Sequence, residues 1–153
     1  MSARPNDVRT AAREAALQML YALEMGGQTP DQVEGWYLES HPLEPDTRER
    51  AGRLLDQAVM NSERIEALID RHARGWKRER MTLIDRSLLK LAIGEMLDSE
   101  HAPHPVIINE ALRLTKKFSQ PEAVNFVNGL LHAVSQELRQ PGANSSKTFS
   151  FRD

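Results

Sequence analysis

The chain has 153 residues, no cysteine, and 22 acidic against 20 basic side chains, so its formal net charge is −2. This length suits one domain with a real core, and the lack of cysteine excludes disulfides and thiolate metal sites. The near-neutral total excludes a chain that is basic throughout. No segment is long and apolar enough to predict a membrane span or a signal peptide, so we expect a soluble cytoplasmic protein without membrane association.

Helical periodicity runs through almost the whole chain, beginning with apolar residues that recur every three or four positions between Val8 and Leu23. Thr29-Pro30 predicts an N-cap and a first-turn proline for a short second helix that ends near residue 40. A longer helix is predicted from Asp46 to about residue 73, with a kink at Asn61-Ser62.

Thr82 and Asp85 resemble a capping box for a helix that runs to about Leu97. Its apolar residues leave little polar face, which predicts a central buried helix. Pro105 and Pro121 open the last two helices. We therefore expect an all-α domain of six or seven helices over residues 7–139, between a flexible segment 1–6 and a disordered polar tail 140–153.

The last helix carries Asn125, Asn128 and Gly129 in its interior, although glycine costs about 1 kcal/mol there relative to alanine. We expect Gly129 to let two helix backbones approach closely, because it has no side chain. The two asparagine amides are expected to bond the preceding loop.

Charge is distributed unevenly. Residues 31–70 hold ten acids and four bases, a net −6, whereas residues 71–80 hold five bases and one acid, a net +4. Such asymmetry concentrates positive potential on one face, although a solvated helix end would have the same composition.

Motifs of catalysis and metal binding do not occur. There is no glycine-rich phosphate loop, no GxSxG and no HExxH, so we predict neither an enzyme nor a cofactor. His101 and His104 flank Pro103, which favours a loop over a helical metal site, and no metal is predicted. Glu95 lies inside the apolar helix, where a buried ion pair or a cap contact is favoured over a catalytic carboxylate.

Three segments together resemble the NusB family of bacterial transcription antitermination factors, over about residues 8–139. They are AAREAALQMLYALE, IDRSLLKLAIGEML and PHPVIINEALRLTKKFSQPEAVNFVNGLL. The resemblance implies two helical bundles and an RNA-binding factor that pairs with the ribosomal protein NusE. The pair would bind single-stranded boxA-like RNA, join the antitermination complex of RNA polymerase and promote transcription of ribosomal RNA operons.

Two alternatives to this interpretation were weighed. One is a protein–protein adaptor, or a homodimer, with weak affinity for RNA. The other is the similar N-terminal part of some ribosomal RNA cytosine methyltransferases, which we discount because no nucleotide-binding glycine motif is present.

The resemblance also implies an RNA-contacting surface, at which the family often carries an arginine-rich run before the first helix. Here that run is reduced to Arg9 and Arg13, because Thr10 and Ala11 occupy positions where further bases are expected. Phosphate contacts supply most of the affinity for RNA. We predict compensation by a basic block consisting of Arg74, Lys77 and Arg78 around Trp76, which either stacks on RNA or fills the junction of the bundles.

The same surface is expected to continue along Lys116 to Glu122 and Phe126 at the start of the last helix. Phe126 either stacks on a splayed base or packs in the protein. On the partner side, the resemblance assigns Tyr21 and Asp85 to NusE binding. Asp85 also caps its helix, and the two roles are compatible.

Overall fold

The structure, a computed structural model, describes residues 5–73, 81–98 and 102–140. Within these ranges the chain forms seven helices and no strand, as predicted. The helices are α1 (Pro5–Glu24), α2 (Pro30–Ser40), α3 (Pro45–Met60), α4 (Ser62–His72), α5 (Leu83–Leu97), α6 (His104–Phe118) and α7 (Ala123–Arg139). None of them is both long and apolar enough to cross a membrane.

The predicted helix starts are confirmed where a cap defines them. Thr29 caps α2 and Thr82 caps α5, each in a reciprocal capping box with the residue three positions later. The single long helix predicted from Asp46 is wrong, because the chain breaks at Asn61 into α3 and α4. The Asn61 side chain donates a 2.9 Å hydrogen bond to the carbonyl of Gln57 and so helps to satisfy the end of α3.

Two apolar clusters meet at α5. The first is built mainly by α1, α2 and α3, and the second by α4, α6 and α7. Leu88 and Leu91 of α5 belong to the first cluster, whereas Leu89, Ile93 and Met96 belong to the second. The prediction of a central buried helix is therefore confirmed, and α5 is the element that joins the two bundles.

Buried ionisable groups on α5 are matched by partners from the surrounding helices. The Lys90 ammonium lies 2.8 Å from Glu24 of α1 and 3.3 Å from Glu66 of α4. Glu95 accepts two hydrogen bonds from Arg13 of α1, at 3.0 and 2.6 Å. Because a buried charge is costly without a partner, these pairs favour one arrangement of α1 and α4 around α5. The predicted ion pair at Glu95 is confirmed.

The close backbone approach expected at Gly129 occurs at another glycine. A Cβ on Gly129 would meet no heavy atom within 4 Å, and Asn125 and Gly129 share the exposed face of α7. A Cβ on Gly94 of α5 would lie 3.2 Å from the backbone of Ala58 on α3. The described structure also shows no side-chain hydrogen bond from Asn125 or Asn128 to the preceding loop. The expectation for α7 was wrong, because helix propensity does not report which face a residue occupies.

The two glycines predict opposite responses to the same substitution. We expect Gly129→Ala to raise the free energy of unfolding by about 1 kcal/mol through helix propensity alone. Gly94→Ala should lower it, because overpacking against a backbone costs about 1–3 kcal/mol and exceeds the propensity gain. Urea unfolding of the two variants measures both changes. A stabilised Gly94→Ala variant would contradict the close packing of α5 on α3.

Candidate nucleic-acid and partner interfaces

Arg9 and Arg13 lie one turn apart on α1 but occupy different environments. Arg9 is half-buried at the surface, whereas Arg13 is only 5% exposed. The Arg13 guanidinium is held by Glu95 and lies 3.6 Å from Glu110 of α6. The prediction that both arginines lie on one surface is therefore corrected, because the charged Arg13 is buried and paired with carboxylates inside the protein.

The environment of Arg13 maintains its charge. Burial alone would lower the pKa of its guanidinium, but hydrogen bonds and charge from Glu95 and Glu110 raise the pKa. Further ion pairs connect α1 with α6, since Glu14 lies 2.9 Å from Lys117 and 3.6 Å from Arg113. This side of α1 is thus occupied by internal ion pairs.

The predicted basic block lies outside the described residues, at Arg74, Lys77 and Arg78, and so does Trp76. Two charged or titratable residues shortly before it, Arg71 and His72, both contact the Glu137 carboxylate of α7. Burial alone would raise the pKa of Glu137, but its bonds to His72 and Arg71 lower the pKa. The end of α4 is consequently tied to α7.

The end of α6 and the start of α7 present the other predicted RNA contacts. Lys116 and Glu122 are exposed, and Glu122 occupies the N-cap position of α7, where an acid interacts favourably with the helix dipole. Phe126 is half-buried and packs against the second apolar cluster. Part of its ring is therefore used in packing. Stacking of the remainder on a base stays a prediction.

Tyr21 lines an open groove with a volume of about 570 Å³. Leu17 and Tyr21 of α1, Trp36 and Tyr37 of α2, and Phe118 of α6 contribute to its walls. The Tyr37 ring stacks on His41 with ring centroids 4.4 Å apart.

Two large apolar side chains beside Tyr21 are exposed to solvent. Trp36 is 49% exposed and Met25 is 65% exposed. Apolar side chains grouped around an open groove are typical of protein-binding surfaces. The apolar spacing in the sequence did not point to Met25, Trp36 or Phe118 as surface residues, although the pair of aromatics Trp36-Tyr37 on the short α2 was an available signal.

Asp85 is not positioned for a direct contact at this surface, since it is 2% exposed. One carboxylate oxygen accepts the backbone N–H of its cap residue Thr82 at 3.3 Å, and the other accepts the Ser119 hydroxyl. Its confirmed role is to cap α5 and to join it to the end of α6. A part in partner binding stays a prediction, and would act through those elements.

His104, one of the two histidines that flank Pro103, contacts a neighbouring helix. Its Nδ1 lies 2.6 Å from the Ser135 hydroxyl of α7, and burial lowers the pKa of the imidazole. No group of three possible metal ligands occurs among the residues that the structure describes.

Comparison with known proteins identifies the family. A sequence model described as the NusB family matches residues 10–136. The chain belongs to the NusB family. It is 43% identical over 131 residues to the transcription antitermination protein NusB of Koribacter versatilis, covering 85% of this chain and 90% of that one. The NusB of Myxococcus xanthus is 39% identical over 137 residues, covering 87% and 98%.

Solved structures support the same fold. A complex of the antitermination factors NusB and NusE with dsRNA contains a chain that matches at a TM-score of 0.77 and 27% identity, covering 85% of this chain and 97% of that one. The solution structure of NusB from Aquifex aeolicus matches at a TM-score of 0.73 and 28% identity, covering 84% and 88%. The expected NusB-like arrangement of two bundles is therefore confirmed.

The buried pair of Arg13 and Glu95 gives a prediction about stability. Glu95→Gln should lower the free energy of unfolding by about 3–5 kcal/mol, because it leaves the Arg13 charge poorly paired in the core. Glu110→Gln is the matched control, since Glu110 is 20% exposed and lies farther from the same guanidinium. Chemical unfolding at neutral pH measures both. Equal, small effects of the two substitutions would contradict a buried charge on Arg13.

Proposed function

We propose that this NusB-family chain is a transcription antitermination factor that binds boxA-type RNA together with NusE and promotes transcription of ribosomal RNA operons. The observation that carries this proposal is the match of nearly the whole chain, in sequence and in fold, to NusB proteins, one of which is solved with NusE and RNA. The chain would act by binding, as a non-enzymatic component of the RNA polymerase antitermination complex.

We infer that the groove beside Tyr21 receives NusE. Exposed Met25 and Trp36 supply apolar area around the Tyr21 ring, which combines an apolar body with a polar tip and is a common interface anchor. A partner that covers these side chains would remove exposed apolar surface from water, which is favourable.

RNA is proposed to bind at another surface, formed by exposed Lys116 and Glu122, the outer edge of Phe126 and half-buried Arg9. The face of α7 that follows Glu122 carries Asn125 and Gly129, short or absent side chains that leave the backbone accessible. Packing does not explain why these residues occur inside the helix. We propose that they form a flat, polar surface on which a nucleotide chain can lie.

The function is tested by titrating labelled boxA-like and scrambled RNA with the chain, alone and with saturating NusE. We expect tighter binding of the boxA-like RNA in the presence of NusE, because two proteins then contribute phosphate contacts. Mass in solution should correspond to one copy of each protein. An adaptor would bind NusE without any gain in RNA affinity, and a homodimer would persist when NusE is added.

Partner docking is tested by Tyr21→Asp, with Tyr21→Phe as the control that keeps the ring. We expect Tyr21→Asp to weaken NusE binding by about 2 kcal/mol or more, the scale of an interface hot spot, while Tyr21→Phe changes it little. Calorimetry measures the affinity and circular dichroism checks the helical fold. Wild-type affinity of a folded Tyr21→Asp variant would exclude the groove as the NusE site.

A further inference from the structure

A cluster of guanidinium groups lies where α3 meets α1 and the end of α5. Arg50 and Arg53 are one turn apart on α3 and line a shallow cleft together with Gln57 and with Glu95 of α5. Glu95 is the residue that holds Arg13 of α1. Arg9 lies one turn before Arg13 on the same helix, so two helices bring arginines to one place.

The acids at this cleft do not balance its bases. Glu95 is already paired with Arg13, and Asp98 lies 3.7 Å from Arg53 while it also accepts a hydrogen bond from Gln57. Among the described residues, neither Arg9 nor Arg50 has a carboxylate oxygen within 4 Å of its guanidinium. Within the described part of the chain, Arg9 and Arg50 thus form no ion pair of their own, although Glu95 offsets part of the charge at Arg50.

The charges lie close enough to affect one another. Partial burial, followed by repulsion from Arg9 and Arg13, lowers the pKa of Arg50, although the group remains charged at neutral pH. Like charges held together are destabilising unless an anion joins them. The arrangement thus favours a bound anion over an empty surface.

We propose that Arg50 and Arg53 form, with Arg9, a binding site for consecutive phosphates of single-stranded RNA. This inference rests on the proposed function and adds two contact residues on α3. Arginine binds phosphate oxygens through paired N–H donors. Two guanidiniums one turn apart on α3, with the charge of Arg9 acting on one of them, offer more than one phosphate contact, which suits a phosphate chain better than a single isolated anion.

This site also resolves the reduced arginine content of the first helix. Thr10 and Ala11 stand where the family resemblance led us to expect bases, and Arg13 is buried. Arg50 and Arg53 return positive charge to the same end of the molecule from α3. The compensation therefore does not depend on the basic block after α4.

The test is RNA affinity across a salt series, with saturating NusE, for Arg50→Gln with Arg53→Gln. We expect affinity to fall about tenfold at low salt and the log–log salt slope to flatten by about 1.4, since each lost phosphate contact accounts for about 0.7. The control is Arg48→Gln, which removes one charge, as each single substitution does, from an exposed position of α3. Arg48 is two residues from Arg50, so its side chain points to the other side of the helix.

Single substitutions keep the test valid if the double variant folds poorly. The Arg53 side chain is 53% exposed, so Arg53→Gln should fold and flatten the slope by about 0.7. Arg50→Lys should keep the wild-type slope, because it retains the charge. If the Gln variants bind RNA like Arg48→Gln at every salt concentration, the phosphate site on α3 is overturned while the proposed function stands. If the wild type with NusE shows no RNA binding, the proposed function is overturned with it.

Discussion

The burial of α5 from Ser87 to Met96 is the constraint on which the rest of the structure depends. Leu88 and Leu91 face one bundle, whereas Leu89 and Ile93 face the other. A buried helix segment needs partners for its charged groups from the neighbouring helices. The ionisable groups on α5 therefore determine which side chains the other helices must supply. The closest backbone contact found at a glycine, at Gly94, is on the same helix.

Because most of α5 lies in the interior, the surfaces available for ligands are built mainly by the outer helices. The groove at Tyr21 is built mainly by α1 and α2 with the end of α6, and the arginine cluster by α3, with Arg9 of α1 adding its charge beside Arg50. α1 thus contributes to both, at opposite ends of its length. The Arg13–Glu95 pair anchors α1 between them, so the position of each surface depends on the same buried contact.

Local signals explain why the helices were predictable and why part of the site was not. The helix caps at Thr29 and Thr82 depend only on residues nearby in the sequence, and so does the apolar pattern of α5. Such local patterns can be seen in one amino-acid sequence. Whether Arg13 faces solvent depends on α5, eighty-two residues away. Its spacing of four from fully buried Leu17 was the available signal, but the residue type favoured a surface position. The sequence indicated the position of the break at Asn61 but not its extent. The same residue types favour a kink within one helix and the end of a helix.

We propose that the partner and RNA occupy separate surfaces of one helical domain. Hydrogen–deuterium exchange of the chain alone, with NusE, and with NusE and boxA-like RNA tests it directly. We predict that NusE protects the second half of α1 and α2, and that RNA adds protection at the start of α7, the first half of α1 and the Arg50 region of α3. RNA protection confined to the Tyr21 groove, or protection by NusE at the start of α7, would contradict the account.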